Sequence, residues 1–368
     1  MENIKKTCLH PQHLALGAQM SPFAGFDMPI QYSCIVEEHN AVRTACGVFD
    51  VSHMGEVLVT GPDAEKYVNH IFTNDISGAP QGKIFYGMML YENGGTVDDL
   101  LVYKRGENDF LLVINAANID KDVEWMKKCS AGFNVRIDDL SDELGELAIQ
   151  GPLAEDVMET VLGIRCADLA FYTFKETTLP NGSAVLVSRT GYTGEDGFEI
   201  YAYPGLIVDI WNALMESGKV MPCGLGCRDT LRFEVGLPLY GDELSEDITP
   251  LEAGLGIFVK LDKEGGFIGR DALLAQKNEG LKRKIVGIEL QDKAIPRHGY
   301  EVLTADGSKV IGTVTTGYRG LSVDKSIAMA LIDSEYAATG TPVTVKIRKK
   351  LFPATVTSKK FFKKSYKK

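Results

Sequence analysis

Hydrophobic and polar positions along the first 280 or so residues switch between two periods. IVEEHNAVRTAC (35–46) has apolar residues at helical spacing, GEVLVTG (55–61) alternates like a strand, and PDAEKYVNHIF (62–72) reads as a helix with proline in its first turn. FLLVINAAN (110–118) predicts a strand ending in Asn, followed by the helix IDKDVEWMKKC. NVRIDDL and ELAIQG predict further strands, and the amphipathic helices GPLAEDVMETVLG and PGLIVDIWNALMESG alternate with SAVLVSRTG and FEIYAY. Many of these strands are joined by short turns without a helical crossover. That predicts a mostly antiparallel α+β fold over a doubly wound parallel sheet. Around QKNEGLKRK (276–284) the texture changes. KIVGIEL, YEVLT, KVIGTVTTG, SIAMALI, TPVTVKI and LFPATVT follow at roughly the 8–12-residue spacing of a small all-β barrel or sandwich. A domain boundary is expected there.

One predicted strand poses a problem. ENGGTVDDLLVYKR (92–105) begins with two adjacent acids. Alternation sends Asp98, Leu100 and Val102 to one face and Asp99, Leu101 and Tyr103 to the other. Burying an unpaired charge is costly, so the plain expectation is that both acids cap the Gly-Gly turn in water. Solvent takes one acid easily, but taking both is harder if the strand is covered on both faces.

Composition narrows the class. The 368 residues, 45% hydrophobic and 24% charged, suit an ordinary soluble globular protein with room for two or three domains. No apolar run is long enough for a bilayer, and MENIKKTCLHPQHLALG lacks the features of a secretory signal, so a cytoplasmic location is expected. Seven scattered cysteines, with Cys223 and Cys227 spaced CxxxC, suit buried thiols in a reducing compartment. The six histidines form no HxxxH or HExxH pattern, and no metal is expected. Ten of the 39 Lys and Arg lie within Lys346–Lys368, which holds no acid, so residues 1–345 set 29 cations against 50 acids, a net −21. An acidic body argues against nucleic acid as a partner. The basic end reads first as a solvated tail and second as a dock for an acidic partner.

Four stretches offer chemistry. RTGYTGEDGFEIY (189–201) is Gly-rich, but its three acids and lack of lysine argue against a phosphate cradle. It reads either as a hairpin with solvated acids or as a pocket whose carboxylate Glu199 receives N–H donors from a heterocycle, with Tyr192 against the ring. GLGCRDTLRFEVG (224–236) lacks the third glycine of a dinucleotide fingerprint. As a helix it carries Arg228 and Arg232 four apart, either as a surface ion-pair ladder with Asp229 and Glu234 or as an Arg aimed at a ligand carboxylate. VFDVSHMGEV offers His53 and Met54. A lone His there is more often a hydrogen-bonded structural residue, and no Ser or Cys nucleophile pattern surrounds it. Asn115 either caps the next helix or faces a ligand.

Taken in order, SPFAGFDMPIQY, VFDVSHMGEV, TNDIS, GKIFYGMML, ENGGTVDDLLVY, VINAANIDKD, IQGP, SRTGYTGEDGFE, GLGCRDTLR, PLYGDEL, TPLEAGLG, IGTVTTG and SIAMAL resemble one family, the aminomethyltransferase or T-protein of the glycine cleavage system. The resemblance implies an α+β, three-domain cloverleaf. Residues 1–50 with 138–225 would form a folate-channel domain, 51–137 with 226–279 a second α+β domain, and 280–368 a C-terminal β-barrel or jelly-roll-like domain. It implies tetrahydrofolate as co-substrate and a lipoylated carrier (H) protein as partner, with ammonia, methylenetetrahydrofolate and the dihydrolipoyl carrier as products. It places the catalytic acid on Asp99 and the pterin-gripping carboxylate on Glu199. Further folate contacts fall on Tyr192, Arg228 and Asn115, with Tyr86, Tyr103 and Met54 in the same wall. The chain departs from the family at Arg319–Gly320, where Ser-Pro is common, at KKFF, where Pro-Phe is usual, and at Phe26, where Trp is frequent.

Two rivals remain. A folate-dependent demethylase of a free methylated amine or sulfonium would share the cradle. A non-enzymatic folate-binding module would carry a K-G-C-Y-x-G-Q-type stretch, which this chain lacks.

Overall fold

The structure, a computed structural model, describes residues 4–363. Two antiparallel sheets meet face to face. The first runs in the order Ile84–Leu90, Thr96–Gly106, Asp109–Ile114, Gly55–Thr60, Arg136–Asp139. Leu100 and Val102 of Thr96–Gly106, with Val97 at a bulge, join Val57, Val59, Phe110 and Leu112 in a core closed by the helices Ala64–Ile71 and Ile119–Cys129. Leu101 and Tyr103 of the same strand turn the other way and meet Phe174 and Tyr201 of the second sheet. The strand with two acids is therefore covered on both faces, and neither acid caps a turn in water.

The second sheet runs Phe174–Thr178, Ala184–Ser188, Gly197–Ala202, Gly145–Gln150, Gly47–Asp50, Met221–Pro222, and only its last pair is parallel. Leu147, Ile149, Phe198 and Ile200 point into a core with Trp211 of the helix Pro204–Ser217. Alternation sends Glu146, Ala148, Gln150, Glu199 and Tyr201 to the opposite face, which looks onto the first sheet. The predicted helical and strand segments appear in place, and their short turns produce the antiparallel order expected of an α+β chain.

The six C-terminal strands close into a barrel, in the order Arg283–Leu290, Lys325–Asp333, Val310–Gly320, Glu301–Thr304, Pro342–Ile347, Lys350–Thr357. Closure removes the exposed edges that an open sheet of such strands would present. Val286, Ile288, Val302, Val314, Ala328, Ile332, Val343 and Val356 fill it. The basic end departs from the solvated tail expected of it. Residues up to Thr357 belong to the barrel, Phe361 stacks against Phe233, and the Phe362 amide donates to the Glu234 carbonyl at 2.7 Å. The Arg43 guanidinium lies 4.3 Å from the Phe362 ring centroid. Two aromatic anchors outweigh the tendency of the flanking lysines to stay in water. The last lysines of the run lie outside the described residues. Among the described residues no helix is long and apolar enough to cross a membrane.

Candidate active site

Between the bare faces of the two sheets lies a cavity of about 410 Å³. Its depth follows from the exposure of its lining. Glu146, Ala148, Gln150 and Tyr201 are buried at the closed end, whereas Ile257, 74% exposed, and the exposed Lys360 stand at the opening. Asp99, Glu199, Tyr192, Arg228, Asn115, Tyr86 and Met54 all line it, although they come from sequence positions far apart. Tyr103 does not, which corrects the expectation from the motif. It is fully buried behind the wall, its hydroxyl 2.8 Å from that of Tyr201 and donating to Ser188 Oγ at 3.3 Å.

Asp99 is held by two donors. The Tyr86 hydroxyl reaches Oδ2 at 2.9 Å and the Asn115 side-chain amide reaches Oδ1 at 3.0 Å. Burial and the neighbouring Asp98 charge raise its pKa from 3.8 to about 7, and the two hydrogen bonds only partly offset that. Asp98, on the opposite face, is wholly buried and braces the same asparagine. Its Oδ2 accepts the Asn115 backbone N–H at 2.9 Å and its Oδ1 accepts the Asn115 amide at 2.8 Å. The Asn118 amide donates to Oδ1 at 2.7 Å. Asn115 thus caps no helix with its side chain and ties the two acids together.

The Gly-rich stretch buries all its acids, against the solvated-hairpin alternative. Glu195 pairs with Arg43 at 3.0 Å and Asp196 with Arg189 at 2.6 Å, leaving Glu199 to face the cavity. Thr190 Oγ1 donates to Glu199, and burial raises the Glu199 pKa, with the Thr190 hydrogen bond and the Arg228 charge lowering it. Gln150 fills the space under this loop. A Cβ on Gly191 would fall 2.0 Å from its Oε1 and one on Gly197 2.3 Å from its Nε2, so a side chain at either position would displace the Gln150 amide.

The two arginines of the helix Leu225–Glu234 part company. Arg232 is wholly buried and paired with Asp229 at 2.7 Å and Glu243 at 2.7 Å. Arg228 turns into the cavity and stacks on Tyr192, its guanidinium carbon 4.6 Å from the ring centroid. The Tyr192 hydroxyl donates to the Pro238 carbonyl, which fixes the ring. His53 departs from the expected hydrogen-bonded role. It is fully buried, both ring nitrogens lack partners among the described residues, and it packs edge-on against Phe23 and Phe26. Burial first, and then the Arg228 charge, lower its pKa to about 3, so the ring is neutral.

The motifs passed over Glu146 and the cavity-facing Tyr172. Only the alternation in GELAIQ marks Glu146, by placing it on the same face as Gln150. Among the described residues Glu38, Cys223 and Cys227 bring ligand-type atoms within 4.8 Å of one another. Glu38, however, accepts backbone N–H groups from Tyr32 at 2.6 Å, Ser33 at 3.1 Å and Gly224 at 2.8 Å, and both thiols are buried. The trio joins the helix Ile35–Thr44, the end of the strand Met221–Pro222 and the helix Leu225–Glu234.

Comparison with known proteins fits this geometry. Residues 9–263 match the GCVT N-terminal domain, and residues 283–363 match the glycine cleavage T-protein C-terminal barrel domain. The chain is 52% identical to an aminomethyltransferase of Thermoanaerobacter pseudethanolicus and 50% identical to one of Alkaliphilus oremlandii, each aligned over 100% of both chains. The crystal structure of glycine cleavage system aminomethyltransferase T from Bartonella henselae superposes with a TM-score of 0.94 at 32% identity, covering 100% of both chains. With the motifs, both domains and the full-length relatives in agreement, the chain belongs to the aminomethyltransferase (T-protein) family of the glycine cleavage system, enzymes of the transferase kind.

Proposed function

We propose that the cavity binds tetrahydrofolate with its pterin at the closed end, and that a lipoyl arm of a carrier protein enters from the opening beside Ile257. The observation that carries this reading is the convergence of Asp99 and Glu199, a hundred residues apart in sequence, on one closed-ended hollow. Glu199 meets the adjacent N–H donors of the pterin edge, which supply what a buried carboxylate needs. Tyr192, held by Pro238 and backed by Arg228, packs on the ring system. The wall of Met54 and Tyr86 excludes water on the other side.

The carrier presents an aminomethyl group bonded through its methylene carbon to a lipoyl sulfur. A folate nitrogen attacks that carbon, and in the overall reaction two folate N–H bonds are replaced by two nitrogen–methylene bonds. The displaced protons leave on ammonia and on the dihydrolipoyl thiol. Attack turns a neutral amine into a cationic one, so Asp99 beside the reacting nitrogens stabilises the transition state more than the ground state and accepts the proton that must leave. The free thiols among the described residues suit a reducing cytoplasm as the place of reaction.

Calorimetric titration with tetrahydrofolate, followed by ammonia release from the aminomethylated carrier, tests this reading. Glu199→Ala is expected to weaken folate binding by tenfold or more, on the scale of a lost charge-assisted hydrogen bond, before turnover at saturation suffers. Release of product from a free methylated amine or sulfonium, but not from the carrier, would make the chain a demethylase instead.

A further inference from the structure

Glu146 has no part in the chemistry above, yet its placement is costly. It lies in the strand Gly145–Gln150 directly opposite Tyr201, one pleat from Glu199, so both carboxyls occupy the sheet face that closes the cavity. It is 2% exposed, and its Oε2 has no hydrogen-bond partner among the described residues. The groups around it are Glu199 and Tyr201 on the paired strand, Glu56 on Gly55–Thr60, and Arg228 on the helix above. Burial and the two neighbouring carboxyls push its proton affinity well above the usual range, and the Tyr201 hydroxyl and Arg228 act against them. A vacant oxygen on a buried acid destabilises the empty protein. An apolar residue at this position would fold more easily, so a polar one there points to a ligand.

We propose that Glu146 is a second recognition group for the bound heterocycle, giving its carboxyl proton as a hydrogen bond to an acceptor beside the donors that Glu199 grips. This rests on the folate reading above. The pyrimidine edge of a reduced pterin sets adjacent ring N–H and amino donors between a carbonyl and a ring-nitrogen acceptor. One ionised and one protonated carboxyl on the same face match that arrangement. Two ionised ones would repel each other and leave the acceptor unmet. The pair therefore selects for a ring edge that carries donor and acceptor side by side.

The experiment compares wild type, Glu146→Gln and Glu146→Leu by calorimetric titration with tetrahydrofolate and by thermal melting without it. Gln keeps the volume and a donor, so its affinity is expected to fall less than about fivefold, whereas Leu is expected to lose about twentyfold or more, the scale of a buried hydrogen bond left unmade. The empty Glu146→Leu variant is expected to melt at or above the wild-type temperature, because the vacant oxygen is gone. Wild-type affinity in Glu146→Leu, equal losses in Gln and Leu, or a melting temperature below wild type in Glu146→Leu would each overturn the proposal. Failure of the wild type itself to bind tetrahydrofolate would remove the folate reading, and that arm separates the two failures.

Discussion

At the scale of single residues, the cavity is a problem in placing carboxyls where water cannot reach them freely. Asp98 and Asp99 are neighbours in sequence, yet the strand's alternation gives them different surroundings, and Asn115 spans the two. Asp99 binds more protons folded than unfolded between pH 3.8 and about 7, so its ionisation destabilises the fold as pH rises through that window. Two outcomes follow for Asp99→Asn. In ammonia-release kinetics, kcat is expected to drop by about a hundredfold or more, with tetrahydrofolate affinity within about threefold of wild type. The acidic limb of the wild-type kcat/KM profile, centred near pH 7, should vanish with it. In thermal melts at pH 8 the variant should gain stability, since a destabilising buried charge has gone. Near-wild-type turnover on the carrier substrate would remove Asp99 from catalysis.

At the scale of elements, the helix Leu225–Glu234 shows how one segment serves both fold and site. Its four-residue spacing predicted two arginines on one face, but the surface ladder with Asp229 and Glu234 does not form: Arg232 is buried against Asp229 and Glu243, Glu234 pairs with Arg43, and Arg228 turns into the cavity. Arg232 sits in a buried network with Asp229 and Glu243, so Arg232→Met leaves carboxylates without a counter-charge and should cost about 3–5 kcal/mol in urea denaturation. Arg228 stacks on Tyr192 at the cavity wall, so Arg228→Met should change stability by less than about 1 kcal/mol while weakening tetrahydrofolate binding by tenfold or more. If the two variants gave the same pattern, the division of labour along this helix would be wrong.

At the scale of the molecule, the cavity exists because each sheet packs one face on its own helices and leaves the other for its neighbour. The C-terminal segment then closes over the helix Leu225–Glu234. Phe361 against Phe233, and Phe362 beneath Arg43, anchor it beside Lys359 and Lys360 at the cavity opening. Ending the chain after Ser358 should therefore cost about 2–3 kcal/mol from the two lost aromatic contacts, read as a lower denaturant midpoint. It should also weaken tetrahydrofolate binding more at low salt than at high salt, because two cations leave the opening.

The sequence by itself determined the helices and strands, their mostly antiparallel α+β arrangement and the run of short C-terminal strands, because periodicity and turn chemistry are local. Alternation also gave the face that most strand side chains take, bulges such as the one at Val97 excepted. Depth along that face was decided only by tertiary structure. Tyr103 shares its face with Asp99 but lies two pleats further on, where Phe174 and Tyr201 cover it, so it backs the wall and does not line it. Partners were decided there too. Asp98 meets Asn118, Glu195 meets Arg43 across 152 positions, and His53 meets no donor or acceptor among the described residues. Whether a buried polar group is satisfied depends on atoms that arrive from elsewhere in the chain, and no local pattern records where they come from.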